Sequence, residues 1–337
     1  MSSENKLLEN LNAEQKKAVL DTEGPNLIVA GAGSGKTRVL TTKLAYIISE
    51  KRAWPNQILC VTFTNKAAKE MQNRVLKYIK GENSAVPWLG TFHSISVKFL
   101  RRHAEAIGFK SNFTILDTDD QKKLIRKICE AENIDAKKIS PQFIIALIDN
   151  WKNKGLMHND VKIKKSNSLE SQILKVYSIY QKKTQDLNAM DFGDLILFTV
   201  KLFENNNDIA EIYRKNFKYI LVDEFQDTNF IQNKWLKLLV NSNQNICCVG
   251  DDDQSIYSWR GAEIKNFLTF DKIYSNCKVY KLEQNYRSTK NILETASGLI
   301  SNNNSRVGKK LWSSGSSGEL VKLNCYSNGK RGSTGSK

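Results

Sequence analysis

The amino-acid sequence predicts an α/β protein, a parallel sheet flanked by helices and interrupted by a helical insertion. Three observations predict it. Short, almost wholly apolar runs rich in β-branched residues recur along the chain, as expected of strands buried on both faces. Segments with helical spacing separate most of these runs, and that alternation builds parallel sheets. Between about His103 and Leu187 strand-like runs become few and the apolar residues follow helical spacing instead.

In chain order, strands are expected at Asn26–Ala30, Gln57–Phe63, Tyr219–Phe225, Asn245–Gly250 and Lys278–Leu282. Helices are expected at about Lys36–Ser49, Asn65–Tyr78 and Asn229–Asn241. In the insertion, helical spacing marks Gln121–Ala131, Phe143–Trp151 and Leu169–Gln181, with lysine dense at Lys152, Lys154, Lys162, Lys164 and Lys165. A further helix should run from Thr289 to about Ile300. Ser313–Gly318 reads as a loop and Leu320–Cys325 as a short strand. Residues Asn328–Lys337 hold neither an apolar residue nor an acid and are expected to be disordered.

The chain has 337 residues, 40% hydrophobic and 26% charged, enough for two or three domains with a buried core. Fifty-one Lys and Arg against 35 Asp and Glu give a net charge of +16, which suggests a polyanionic partner, nucleic acid before anionic membrane. A generally lysine-rich proteome would produce the same balance. No apolar run approaches the ~20 residues that span a bilayer. Met1–Asn10 is polar and lacks a signal-peptide core, so a cytoplasmic location and no membrane partner are expected. The six cysteines form no C-x-x-C pair and only three histidines accompany them, so no zinc site is expected. Cys60, Cys247 and Cys248 lie in apolar runs and read as buried reduced thiols.

The segment Ala30-Gly31-Ala32-Gly33-Ser34-Gly35-Lys36-Thr37 follows a strand and opens a helix, the context of a phosphate-binding loop. Glycines let backbone N–H groups turn inward around phosphates, and the helix N-terminus adds partial positive charge. Lys36 would reach the β- and γ-phosphates of ATP, and the Thr37 hydroxyl would bind Mg²⁺. Ala30 stands where the general motif has glycine. Downstream, Tyr219-Ile220-Leu221-Val222 ends in Asp223 and Glu224. Two carboxylates at a buried strand end are costly without a task. Asp223 would hold Mg²⁺, and Glu224 would orient and deprotonate the attacking water. On these two segments alone, a kinase or GTPase of the same loop type stays open.

Further segments narrow the reading. They are Leu11-Asn12-Ala13-Glu14-Gln15, Phe63 to Met71, Gly90-Thr91-Phe92-His93-Ser94, Val222 to Asn229, Val249 to Ala262, and Leu282 to Thr289. In order and wording, together with the phosphate loop, they resemble the motifs of the UvrD, PcrA and Rep group of DNA helicases. The resemblance covers about Leu11 to Cys325. It implies that Gln15 reads adenine, that Tyr286 stacks on it and that Arg38 lies near the nucleotide. It implies that Gln254 senses the γ-phosphate and that Arg287 is an arginine finger. Phe63, Tyr257 and Trp259 would line a single-strand path, with Asn65, Lys66, Thr91, His93 and Arg260 near the strand or its phosphates. Tyr257 and Trp259 alternate, so on an extended segment they would share one face, and aromatic faces stack bases at ~1–3 kcal/mol each. Burial in the core is the plain alternative for each aromatic, and for His93.

The implied fold is a RecA-like P-loop NTPase sheet with an inserted helical domain and the start of a second motor domain. Residues 1–102 and 188–277 would form the first motor domain, 103–187 the basic insertion, 278–327 the beginning of the second motor domain and 328–337 a tail. The implied activity is an ATP-dependent 3′-to-5′ helicase and single-stranded DNA translocase of repair or replication. Its partners would be single strands, single/double-strand junctions, and repair or replication proteins. The later motifs of the family are absent, so the chain reads as cut short within its second motor domain. A non-catalytic remnant that binds DNA and ATP, and the helicase part of a recombination nuclease, stay open beside the leading reading.

Overall fold

The computed structural model describes residues 7–78, 85–134, 139–163, 168–304 and 306–324. Lys164, Lys165, Cys325 and the segment 328–337 lie outside the described residues. In chain order the first elements are α1 (Ala13–Leu20), β1 (Asn26–Ala30), α2 (Lys36–Ser49), β2 (Ile58–Thr62), α3 (Asn65–Tyr78), β3 (Leu89–Thr91) and α4 (Phe92–Arg102). Next come β4 (Thr114–Ile115), α5 (Thr118–Ala131), α6 (Pro141–Asn153), α7 (Ser168–Asp186), β5 (Ala189–Met190), α8 (Phe192–Asn205) and α9 (Asn207–Asn216). The remainder are β6 (Tyr219–Val222), α10 (Phe230–Leu239), β7 (Ile246–Gly250), α11 (Ile264–Leu268), α12 (Phe270–Ile273), β8 (Lys278–Leu282) and α13 (Lys290–Ile300).

Six strands form one sheet in the order β3-β2-β6-β7-β1-β8, and every pairing in it is parallel. β1, β2, β6 and β7 are buried along their whole length, which is why their sequences run apolar rather than alternating. One core lies on each face. On one face, Leu27, Leu59 and Cys248 pack against Phe99, Trp235 and Leu236; on the other, Ile28, Cys60 and Val249 pack against Val39, Leu44 and Met71. β1 and β6 both end at the same edge, so the loops that follow them meet above the sheet, where open α/β sheets bind ligands.

Three differences from the expected elements have physical causes. Lys278–Leu282, expected as a strand buried on both faces, pairs with β1 over its full length as the sixth strand of the sheet. Its burial explains the mistaken expectation of a two-sided core strand: only Leu282 is buried, as befits an edge. Ser258–Arg260 is a turn of 3₁₀ helix closed by Gly261 at φ 87°, so Tyr257 and Trp259 do not alternate along an extended segment. Leu320–Asn324 pairs with no strand, and Leu323 is 91% exposed. Beside β8 the chain beyond α13 is tied by the Gln284–Trp312 bridge and by the bonds Lys281–Gly308 and Lys310–Glu283, and among the described residues none of these ties involves 320–324.

Helices α5, α6 and α7 carry their own core, in which Ile125, Ile128, Ile144, Ile148, Val176 and Tyr177 are buried together. The insertion leaves and returns through the small parallel pair β4–β5. It is fastened to α8 by an ion cluster. The Lys152 ammonium, with no exposed side-chain surface, lies 2.6 Å from Asp191 and 2.7 Å from Asp194. Tyr180 donates to Asp191 at 2.9 Å. Burial and the neighbouring Asp191 charge push Asp194 up to about 7. Burial works against the charge of Asp191 too, but Lys152 outweighs it and holds that carboxyl below its ordinary value. No described helix is long and apolar enough to cross a membrane.

Candidate functional site

The phosphate loop runs from the end of β1 to the start of α2. Gly35 precedes the helix at φ 90°, a conformation that calls for glycine, and a Cβ there would also press on Gln15 Nε2 at 2.8 Å. Gly33, at φ 69°, is equally confined, because a Cβ would meet Arg287 Cβ at 2.7 Å. Ala30 is buried at the strand end, and Ser34 donates to the Gly31 carbonyl at 2.7 Å; these residues shape the loop from behind. In front of the loop lies a cavity of about 550 Å³, walled on this side by Ala32, Gly33, Gly35, Lys36 and Thr37. The N-terminus of α2 opens into it, an arrangement suited to anionic phosphate.

Opposite stands the end of β6. Glu224 is held at φ 49°, a costly conformation for a residue with a side chain and one that concentrates at functional sites. It turns the carboxylate toward the loop, where Lys36 Nζ donates to Glu224 Oε2 at 3.1 Å. Gln226 Nε2 donates to the same oxygen at 2.8 Å. Asp223 is buried beside them. Burial first, then the Glu224 charge, raise its carboxyl to about 7. The same two causes raise Asp227 to about 6. Thr37 and Asp223 share an adjoining cavity of about 420 Å³ with Glu224 and Gln254. A hydroxyl and a buried carboxylate beside a phosphate loop form an oxygen-only set, which suits a hard cation completed by phosphate and water.

The base end of the cavity is built by α1 and by the turn after β8. Gln15 donates to the Ser34 carbonyl at 2.8 Å and accepts from the Asn12 backbone at 3.1 Å, so both ends of its amide are engaged. Reading an adenine edge therefore requires it to exchange one of these bonds. Tyr286 is exposed, accepts from Asn12 Nδ2 at 2.8 Å and presents its ring to the cavity, which Arg38 and Arg287 also line. Two residues went unnoticed in the sequence. Asn285 donates to the Ala32 carbonyl at 2.6 Å and accepts from the backbone of Arg287 and Ser288, fixing the turn that carries Tyr286 and Arg287 to the phosphate loop. Arg74 reaches the cavity from α3, and nothing in its sequence context sets it apart from a solvated helix arginine.

A smaller groove of about 340 Å³ lies across the sheet end, lined by Phe63, Thr91, His93, Tyr257 and Arg260 among others. The Phe63 and Tyr257 rings stack at 5.3 Å. Arg260 lies over both Tyr257, at 5.2 Å, and Trp259, at 4.6 Å, so the 3₁₀ turn gathers the aromatic pair around one cation. Trp259 is 73% exposed, far from the core alternative. His93 packs edge-on against Phe192, another exposed ring at the rim that the sequence did not single out; burial lowers its pKa and favours the neutral ring. Asn65 and Lys66 are exposed at the start of α3 and do not line the groove. The intermediate cavity that holds Asp223 and Gln254 also touches Phe63 and Tyr257, joining the phosphate end to the aromatic groove.

Comparison with known proteins agrees with this geometry. Residues 11–275 match the model of the UvrD/REP helicase N-terminal domain, and residues 280–331 match that of the UvrD-like helicase C-terminal domain. The chain is 49% identical over 318 residues to a protein of Staphylococcus epidermidis named ATP-dependent DNA helicase PcrA, covering 94% of this chain and 43% of that one. It is 48% identical over 317 residues to the protein of the same name from Staphylococcus aureus, with the same coverages. The chain thus spans less than half the length of these relatives.

Proposed function

The chain belongs to the UvrD/REP helicase family, and from that premise we propose that it is the ATP-hydrolysing part of a 3′-to-5′ DNA helicase and single-stranded DNA translocase of repair or replication. The observation that carries the proposal is the intermediate cavity: Gln254 faces the nucleotide end, and Tyr257, three residues later, stacks with Phe63 at the groove. One short segment thus connects the terminal phosphate to a platform for bases. Mg²⁺, held by Thr37 and Asp223 with the phosphates, would neutralise charge developing on the phosphoryl group.

The residues of the chain divide the work. Lys36 is paired with Glu224. Binding of ATP draws the Lys36 ammonium onto the phosphates and frees Glu224 to accept a proton from water. Arg287, held by Asn285 against the loop, faces the same space and supplies positive charge to the transferring group. Phe63, Tyr257 and Trp259 offer π faces to successive bases, and Arg260 and the net positive charge attract the backbone. Single strands and single/double-strand junctions are the proposed substrates, with repair or replication proteins as partners and the cytoplasm as location.

The decisive experiment measures ATP hydrolysis with and without single-stranded DNA, beside Lys36→Ala. Stimulation by DNA that disappears in Lys36→Ala is expected. DNA binding with no turnover would overturn the catalytic reading in favour of a binding remnant. At the groove, Tyr257→Ala should weaken single-strand binding by about 1–3 kcal/mol. Because the lost contact is stacking, the slope of affinity against salt should stay unchanged. Fluorescence anisotropy of a labelled oligonucleotide across a salt series reads both, and an unchanged affinity would place the strand elsewhere.

A further inference from the structure

Beyond β7 the chain carries three successive carboxylates, Asp251, Asp252 and Asp253, whose oxygens lie within 4.8 Å of one another. One side chain meets all three. The Lys309 ammonium, 1% exposed, stands 2.7 Å from Asp251, 2.6 Å from Asp252 and 2.7 Å from Asp253. The same segment adds two more ties. Arg306 forks onto Asp253 at 2.9 and 2.6 Å, and the Val307 backbone donates to Asp252 at 2.7 Å. Burial opposes the charge on Lys309, and the three carboxylates outweigh it, holding its pKa above that of ordinary lysine.

One of the three carboxylates, Asp251, is also the anchor of Gln254. The Gln254 amide donates to Asp251, and Asp251 caps the 3₁₀ turn Asp252–Gln254 by accepting from the Asp253 backbone. The Asp251 N–H donates to Gln226 Oε1 at 3.0 Å, and Gln226 donates in turn to the Glu224 carboxylate that Lys36 holds. An unbroken path of polar contacts therefore leads from Lys309 to Gln254 on one branch and to Lys36 on the other. Lys309 lies in the part of the chain that matches the C-terminal family model, whereas Asp251 and Gln254 lie in the part that matches the N-terminal one.

We propose that Lys309 is a positioning residue for Gln254: by bonding all three carboxylates it keeps Asp251 in the place from which it aims the Gln254 amide at the terminal phosphate. Close carboxylates repel one another, and without Lys309 only Arg306 remains, at Asp253, so that Asp251 or Asp252 must swing out or bind a proton. Either change removes the acceptor that Gln254 uses. The segment 306–309 thus sets whether the phosphate end of the site is sensed, and does so without touching nucleotide. The proposal rests on the reading of Gln254 as the residue that senses the γ-phosphate.

The test is Lys309→Met, which keeps the buried stem and removes the charge. In ¹⁵N NMR spectra of the nucleotide-free chain, with Gln254→Ala used for assignment, the Gln254 side-chain amide should move toward the position of free glutamine. Affinity for a non-hydrolysable ATP analogue should fall about tenfold, the loss of one hydrogen bond to a charged group, while ADP affinity holds. Arg306→Ala, which touches only Asp253 of the three, should leave the Gln254 signal in place. An unmoved Gln254 signal in Lys309→Met, an equal loss for both nucleotides, or an equal shift in Arg306→Ala would overturn the proposal. If the single variant does not fold, Lys309→Met with Asp252→Asn relieves the charge imbalance and is read in the same way. A wild-type chain that binds neither nucleotide would defeat the functional reading, whereas the amide signal still decides the role of Lys309.

Discussion

Replacing Glu224 by glutamine is expected to lower ATP turnover by about 10²–10⁴-fold, the contribution of a positioned general base, and to leave ATP bound. Glutamine keeps the shape and the φ of 49°, and it still accepts from Gln226. It cannot take a proton from water. It also releases Lys36 from its ion pair, since the bond from Lys36 Nζ to Glu224 Oε2 at 3.1 Å loses its charge. Affinity for ATP should therefore rise modestly while hydrolysis falls, a split that a general loss of structure would not produce. Equilibrium binding of a fluorescent ATP analogue and single-turnover hydrolysis report the two halves. Turnover within tenfold of wild type would move the role of base to Asp227, the neighbouring carboxyl that burial raises to about 6.

Removing the charge of Lys152 should be the most destabilising single change. Lys152→Met preserves the buried stem but leaves Asp191 and Asp194 together without a cation, and breaking a buried pair in this way costs about 3–5 kcal/mol. The sign with pH follows from the carboxyls. Uncompensated buried acids are tolerated when protonated, so the penalty should be largest at high pH and shrink as pH falls and the two carboxyls take up protons, Asp194 first, because burial and the Asp191 charge raise it even beside Lys152. Urea unfolding midpoints at several pH values measure it, and a penalty under about 1 kcal/mol would mean the acids reach water. The effect should extend to the groove. α6 and α8 meet at this cluster, and they also supply Asn153 and Gly193 to the groove wall. Single-strand affinity should weaken along with stability.

Much of the molecule was legible because its signals are local. Lys36–Ser49, Asn65–Tyr78 and Lys278–Leu282 span the residues read from spacing alone, and the loop between β1 and α2 declared itself through Gly-Lys-Thr after a strand. β3 escaped notice because three residues, one of them Gly90, carry too little pattern to register. The β6 strand stops at Val222, short of the expected Phe225, because Glu224 leaves the extended region. Other features depend on contacts between distant parts of the chain. Lys309 resembles any lysine in a polar stretch until the fold sets it beside three aspartates. Asn285, Arg74 and Phe192 acquire meaning only from what lies opposite them. The Tyr257–Trp259 pair shows the converse: its residues were recognisable, but their geometry was not, because Gly261 closes a turn where alternation suggested an extended segment.

The place of β1 in the sheet also sets an order of events in time. Its two neighbours, β7 and β8, are the last strands of the sheet to leave the ribosome, more than two hundred residues after it. At about 5–20 residues per second, β1 waits roughly 10–50 s with neither edge bonded. For that interval the strand that will carry the phosphate loop is a bare, apolar, hydrogen-bonding edge, the kind of segment that associates with other unfinished chains. The phosphate loop is thus synthesised well before the strands that fix β1 within the sheet. Nascent chains stopped short of β8 should present that strand to chaperones rather than to ATP.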